Sequence, residues 1–224
     1  ICSIMWNPKD DANLPATYSI EDISGKKVCK EELCKELELN PEYPLVVFIQ
    51  KMLPERGLDL ILNAVEDFAT NNINIIIFGP NNSSDYNQKF QEIKQKYNNV
   101  RIIFSDHANK SQKEYAAADI VLMPSMYEPC GIGQLIGMRY GAVPVVRKTG
   151  GLSDGSKEAV EQGVGFTFDE FNSEAMMKKV LKACELITSD KRDEVVKKLL
   201  AIDHSWQSAT QEYIKLYNRL MEGK

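Results

Sequence analysis

Histidine is almost missing from this 224-residue chain; His107 and His204 are the only two. A histidine-based catalytic triad or metal site built wholly within the chain is therefore not expected. Long apolar runs are missing too, and none approaches the roughly 18 residues of a membrane-spanning helix. Nor is there an excess of positive charge. The formal net charge of −5 speaks against nucleic acid as the main partner, because phosphate backbones recruit basic surfaces. A small nucleotide stays compatible, since it needs only one or two local cations. The cysteines (Cys2, Cys29, Cys34, Cys130 and Cys184) are odd in number and lack close metal-ligand spacing, which fits a reduced, intracellular compartment. In that setting the sequon Asn82-Ser83-Ser84 reads as a polar turn. No signal peptide, internal repeat or low-complexity segment is visible, and a start at Ile1 without methionine reads as a fragment or processed piece.

What remains is ordinary globular composition, 43% apolar and 26% charged, in a chain long enough for one large core or two small ones. Residues 1–43 are irregular and polar, with a short helical stretch around Lys30–Leu39; they read as a linker leading into a domain rather than as a core element. From residue 44 onward apolar runs alternate with amphipathic stretches. Pro44–Gln50, Ile73–Gly79, Val100–Ser105, Asp119–Ser125, Val143–Lys148 and Gly163–Phe168 read as strands. Helical spacing appears at Leu58–Phe68, Tyr86–Tyr97, Gln112–Ala118, Ile132–Tyr140, Glu174–Ile187, Arg192–Ala201 and Trp206–Met221. Continuous apolar strands alternating with helices imply an α/β fold, a doubly wound, Rossmann-like parallel sheet covered on both faces. Ligands of such sheets bind at the carboxyl ends of the strands. The loops to inspect begin at Gln50, Gly79, Ser105, Ser125 and Lys148.

Three of those loops carry usable chemistry. After the first strand, Lys51 and Arg56 flank a loop-to-helix transition, where they either converge on a diphosphate or stay solvated. After the second, Gly79–Ser84 either approaches a nucleotide or forms a plain turn with Ser84 or Asp85 capping the next helix. The fourth reads Glu128-Pro129-Cys130-Gly131-Ile132-Gly133-Gln134. A residue before proline is held extended, so Glu128 stands off the helix. Gly131 and Gly133 open the helix with little bulk, leaving N–H groups and the positive dipole end accessible to phosphate. As a mere helix-dipole partner Glu128 would not need two glycines. Further on, Lys148-Thr149-Gly150-Gly151 reads as a second glycine turn. Cys130 is read as a small packed residue rather than a nucleophile, with no histidine near it in sequence.

These residues resemble the C-terminal half of a bacterial or plastid glycogen/starch synthase. The stretch from Asp119 to Asp154 carries most of the likeness, with Glu128-Pro129-Cys130-Gly131 and Tyr140–Leu152. Trp6-Asn7-Pro8, Arg56–Leu60, Gly163–Asp169 and Ser205-Trp206 with Tyr213 and Tyr217 add to it. Related retaining transferases usually have a bulky aromatic where Cys130 stands. The resemblance implies one of the two Rossmann-like domains of a GT-B glycosyltransferase: a linker at 1–43, a nucleotide-sugar-binding domain at 44–204 and a crossover helix at 205–224. It implies transfer of glucose from ADP-glucose, or UDP-glucose, to the non-reducing end of an α-1,4-glucan with retention of configuration. No metal or cofactor is expected. The expected partners are the nucleotide-sugar, the glucan acceptor and the missing N-terminal domain, with neither nucleic acid nor membrane, in a bacterial cytoplasm or a plastid. By motif position Glu128 would bind donor-glucose hydroxyls, and Gly131, Ile132 and Gly133 the diphosphate or sugar. Lys51 and Arg56 would neutralise charge on the leaving diphosphate. Without the N-terminal domain the chain would be inactive.

The chain also departs from that pattern. Lys51 and Arg56 stand in exchanged order, Gly133 replaces a threonine, Asp106 falls where a base-stacking tyrosine is common, and Ile1-Cys2 replaces Gly-Ile-Asp. The departures motivate an alternative expectation, a catalytically impaired synthase-like module that binds glucan or regulates.

Overall fold

The computed structural model describes residues 1–80, 86–105 and 111–222. Its centre is a six-stranded, wholly parallel sheet: β1 (Leu45–Ile49), β2 (Asn74–Gly79), β3 (Val100–Phe104), β4 (Ile120–Met123), β5 (Val143–Arg147) and β6 (Phe166–Phe168). The spatial order is β3-β2-β1-β4-β5-β6. Every residue of β1, β2 and β4 is buried, which is why these strands read as unbroken apolar runs. Around the sheet lie α1 (Ser24–Glu36), α2 (Leu58–Asn63), α3 (Val65–Thr70), α4 (Asn87–Lys96), α5 (Gln112–Ala117) and α6 (Gly133–Arg139). The remaining helices are α7 (Gly150–Glu161), α8 (Ser173–Ile187), α9 (Arg192–Ala201) and α10 (Trp206–Glu222).

The two faces of the sheet feed separate cores, as strand alternation requires. Val46, Phe48, Ile75 and Ile77 pack with α2, α3, α4 and α8. Leu45, Val47, Ile49 and Ile76 pack with α1 and α5. The latter core also takes Trp6, Tyr18, Leu33 and Cys34 from the first 43 residues. The expectation that this segment is a linker outside the core is thus corrected. Its apolar residues are sparse and separated by Pro8, Pro15 and Gly25, so they show no period, yet Tyr18 is 3% exposed and Cys34 is fully buried. The helix within it starts at Ser24 and ends at Glu36, ahead of the anticipated Lys30–Leu39, and is followed by Glu38 at φ 53°.

Two further differences concern helices. The single period over Leu58–Phe68 is broken at Ala64, whose φ of −97° and ψ of 6° separate α2 from α3. The glycine turn after Lys148 opens a full helix, α7, of 12 residues. Glycine disfavours helix by about 1 kcal/mol relative to alanine, so Gly150, Gly151 and Gly155 masked it. Among the described residues no helix is long and apolar enough to cross a membrane. The last helix, α10, has no buried residue and exposes Trp206, Tyr213, Tyr217 and Leu220.

Candidate functional site

In the order β3-β2-β1-β4-β5-β6, the chain moves one way from β1 and the other way from β4, so the loops after these two strands diverge and leave a crevice. After β1 the chain runs through Lys51 into a 3-10 turn, Pro54–Arg56, and then Gly57 at φ 78°. A Cβ at Gly57 would stand 2.3 Å from the Pro124 carbonyl oxygen, so only glycine lets the two loops touch. The Met126 N–H donates to the Glu55 carbonyl at 2.8 Å. Arg147 Nη1 donates to the Met126 carbonyl at 2.6 Å, and the Gly151 N–H donates to the Glu128 carbonyl at 3.0 Å. The acidic loop is therefore tied to the β1 loop, to β5 and to the start of α7.

Glu128 and Arg56, 72 residues apart in sequence, meet here: Arg56 Nη1 donates to Glu128 Oε2. The Arg56 side chain is 28% exposed and that of Glu128 12%, a partly desolvated setting in which the attraction outweighs that of a surface pair. Lys51 is exposed, and among the described residues its ammonium has no carboxylate partner. One cation is thus committed and the other is free. Both open onto a cavity of about 400 Å³ that Glu128, Gly131, Ile132 and Gly133 also line. All the sequence-predicted site residues share this one cavity.

The glycines do more than clear space. Gly131 has φ 66°, and a Cβ there would fall 2.7 Å from both Gln134 Nε2 and Leu152 Cδ2. Helix α6 begins at Gly133, later than anticipated, with Ile132 as its half-exposed cap. A Cβ at Gly133 would stand 3.0 Å from Met123 Sδ and 3.2 Å from the Tyr115 hydroxyl. Among the described residues no acceptor takes the N–H groups of Gly131, Ile132 or Gly133, which leaves them available to an anion.

Sequence reasoning missed three contributors. Trp6 and Tyr115 line the cavity and meet edge-to-face with centroids 5.9 Å apart. An isolated tryptophan beside Asn7-Pro8 in a polar stretch was a usable signal; Tyr115, in a short buried helix, gave none. Gln134 is fully buried, and its Nε2 donates to the Gly151 carbonyl at 3.3 Å. It joins the starts of α6 and α7. The glycine pair makes that junction possible, since a Cβ at Gly151 would lie 1.9 Å from the Cys130 carbonyl oxygen. Cys130 itself is exposed in the cavity rather than packed. The other motifs lie elsewhere. His204 is set apart beside Arg139 and Asp203, and burial lowers its pKa. Asp106, His107 and the turn residues Asn81–Asp85 lie outside the described residues. Among the described residues, no group of three or more His, Cys, Asp and Glu side chains is placed to hold a metal.

The cavity thus offers a carboxylate for hydroxyls, two cations and unpaired N–H groups for phosphate. Comparison with known proteins assigns the family and the fold. The family described as "Glycosyl transferases group 1" matches residues 30–198. The chain belongs to that family. This group 1 glycosyl transferase chain resembles curated glycogen synthases, with 38% identity over 217 residues to that of Aquifex aeolicus, covering 96% of this chain and 46% of the relative. The glycogen synthase of Flavobacterium johnsoniae is 36% identical over 228 residues, covering 98% of this chain and 48% of the relative. The catalytic domain of starch synthase IV from Arabidopsis thaliana, solved bound to ADP and acarbose, superimposes with a TM-score of 0.85 at 31% identity. It covers 97% of this chain and 47% of that one. The group 1 fold here is therefore that of one GT-B glycosyltransferase domain, and the chain spans about half the length of the relatives it matches.

Proposed function

We propose that this chain is the donor-binding half of a glycogen/starch synthase. It would take glucose from ADP-glucose to the non-reducing end of an α-1,4-glucan with retention of configuration. The observation that carries the reading is the convergence of Lys51, Arg56, Glu128 and the Gly131–Gly133 N–H groups on one cavity at the sheet's switch point. In this reading Glu128 accepts hydrogen bonds from glucose hydroxyls, while Lys51, Arg56 and the free N–H groups face the diphosphate. Charge grows on the leaving diphosphate as the glycosidic bond breaks, and a well-placed donor stabilises such charge by about 3–4 kcal/mol. Arg56 can serve only if its bond to Glu128 opens or is shared when donor arrives. The exposed face of α10 then lies against the N-terminal half of the whole protein, which supplies the acceptor contacts. The starch synthase IV match, solved with ADP, supports the adenine nucleotide as donor base.

Calorimetry of ADP, ADP-glucose and UDP-glucose with this chain tests the donor, with ADP-glucose expected to bind more tightly than UDP-glucose. Absence of binding by all three would overturn the reading. Glu128→Ala in the whole protein should abolish transfer while leaving the fold intact, and unchanged turnover would remove Glu128 from the mechanism.

A further inference from the structure

Lys26 is 2% exposed, a rare position for a lysine. Its Nζ donates to three backbone carbonyls: Ala116 at 3.1 Å, Ala118 at 2.8 Å and Tyr140 at 2.7 Å. The first two oxygens belong to the carboxyl end of α5 and the third to the cap of α6. Helix ends leave such carbonyls without intrahelical partners, and their partial negative charge attracts a cation. The Tyr18 hydroxyl adds a bond to the Tyr140 carbonyl at 2.9 Å, and the Tyr140 hydroxyl donates to Asp11 Oδ2 at 2.6 Å. Desolvation pulls the Lys26 pKa down to about 7, opposed chiefly by Asp119. The ammonium form supplies one N–H donor to each of the three carbonyls, whereas the neutral amine has only two to give.

The same two helices meet again at the cavity, where the Tyr115 hydroxyl of α5 abuts Gly133 at the start of α6. We infer that Lys26 is a positioning residue: by holding the carboxyl ends of α5 and α6 together, it sets the spacing of Tyr115 and the Gly131–Gly133 N–H groups in the donor cavity. This inference rests on the proposed donor-binding function. It assigns a role in that site to a residue remote from it, in a segment whose sequence reads as a linker.

The test uses Lys26→Met, which keeps length and removes the donors, and the milder Tyr18→Phe, which removes one donor to the Tyr140 carbonyl. Leu33→Ala, in the same core, is the control for lost stability alone. ADP affinity by calorimetry and amide exchange at Gly131–Gln134 are measured well below each variant's unfolding temperature. Lys26→Met should weaken ADP binding about tenfold and speed exchange at Gly131–Gln134, with Tyr18→Phe moving both in the same direction by about threefold. Leu33→Ala should lower stability and leave both unchanged. If Lys26→Met fails to fold, Tyr18→Phe decides. Unaltered affinity and exchange in the folded lysine and tyrosine variants would overturn the inference. If the unsubstituted chain binds no ADP, the donor reading fails, while exchange at Gly131–Gln134 still reports on the clamp.

Discussion

The β1–β4 seam carries a carboxylate at each end, and the two are treated very differently. At the amino end Asp119, 3% exposed, accepts from the Leu45 N–H at 2.9 Å, from Lys30 at 2.6 Å, and lies 3.6 Å from Arg192. At the carboxyl end Glu128 has one cationic partner, Arg56, while Lys51 stands free beside it. Both ends hold a carboxylate with nearby cations, so charge alone does not mark the site. Saturation does. A carboxylate whose acceptor capacity is filled by fixed donors is structural, whereas one held by a single displaceable guanidinium can exchange partners with a ligand. Glu114 extends the series: it is 7% exposed, its Oε2 has no partner, and burial raises its pKa to about 7.

The contrast is sharpest under substitution. Asp119→Ala should cost about 3–5 kcal/mol of stability, since it strands Lys30 and the Leu45 N–H, while Arg192 keeps Asp193 at 3.7 Å; denaturant unfolding measures it, and a loss below about 2 kcal/mol would equate the two ends. Glu128→Gln should shift stability by only about 1–2 kcal/mol but lower transfer by the whole protein about 10²–10³-fold, read from steady-state rates. Next comes pH. The folded pKa of Glu114 lies above its unfolded value, so the folded state holds the proton more tightly. Its contribution is neutral below about pH 4.5, and stability falls between about pH 4.5 and 7 by up to about 3 kcal/mol. Glu114→Gln should flatten that slope, and an unchanged slope would assign it elsewhere. Smallest of all, Lys157→Ala breaks an exposed helical pair with Glu161 and should change the unfolding free energy by no more than about 0.5 kcal/mol, read from denaturant unfolding.

Much of this was readable without coordinates. All six strands were placed within a few residues, because continuous β-branched and apolar runs bounded by turns leave little ambiguity when both faces are covered. The loops that carry the site followed from strand order and the rule for carboxyl ends. What escaped notice has a common cause. Trp6, Tyr18 and Lys26 take their roles from partners far along the chain, such as the Ala116, Ala118 and Tyr140 carbonyls of Lys26. Helix α7 was hidden because its glycines lower local helix propensity, and their reason, the close approach of the Cys130 and Glu128 carbonyls, is non-local. Asp119, which opens a predicted strand, carries no local sign that it gathers Lys30 and Arg192.

By itself the amino-acid sequence determined the alternating α/β pattern, the parallel sheet and the acidic and glycine-rich loop chemistry, since these depend on period, propensity and residue type along a short stretch. The tertiary structure alone decided which charges meet: Arg56 with Glu128, Lys51 with none, Asp119 with its full set, and Lys26 with a cage of carbonyls. Pairing energies depend on distance, burial and competing donors, and those quantities exist only once remote segments have been packed together.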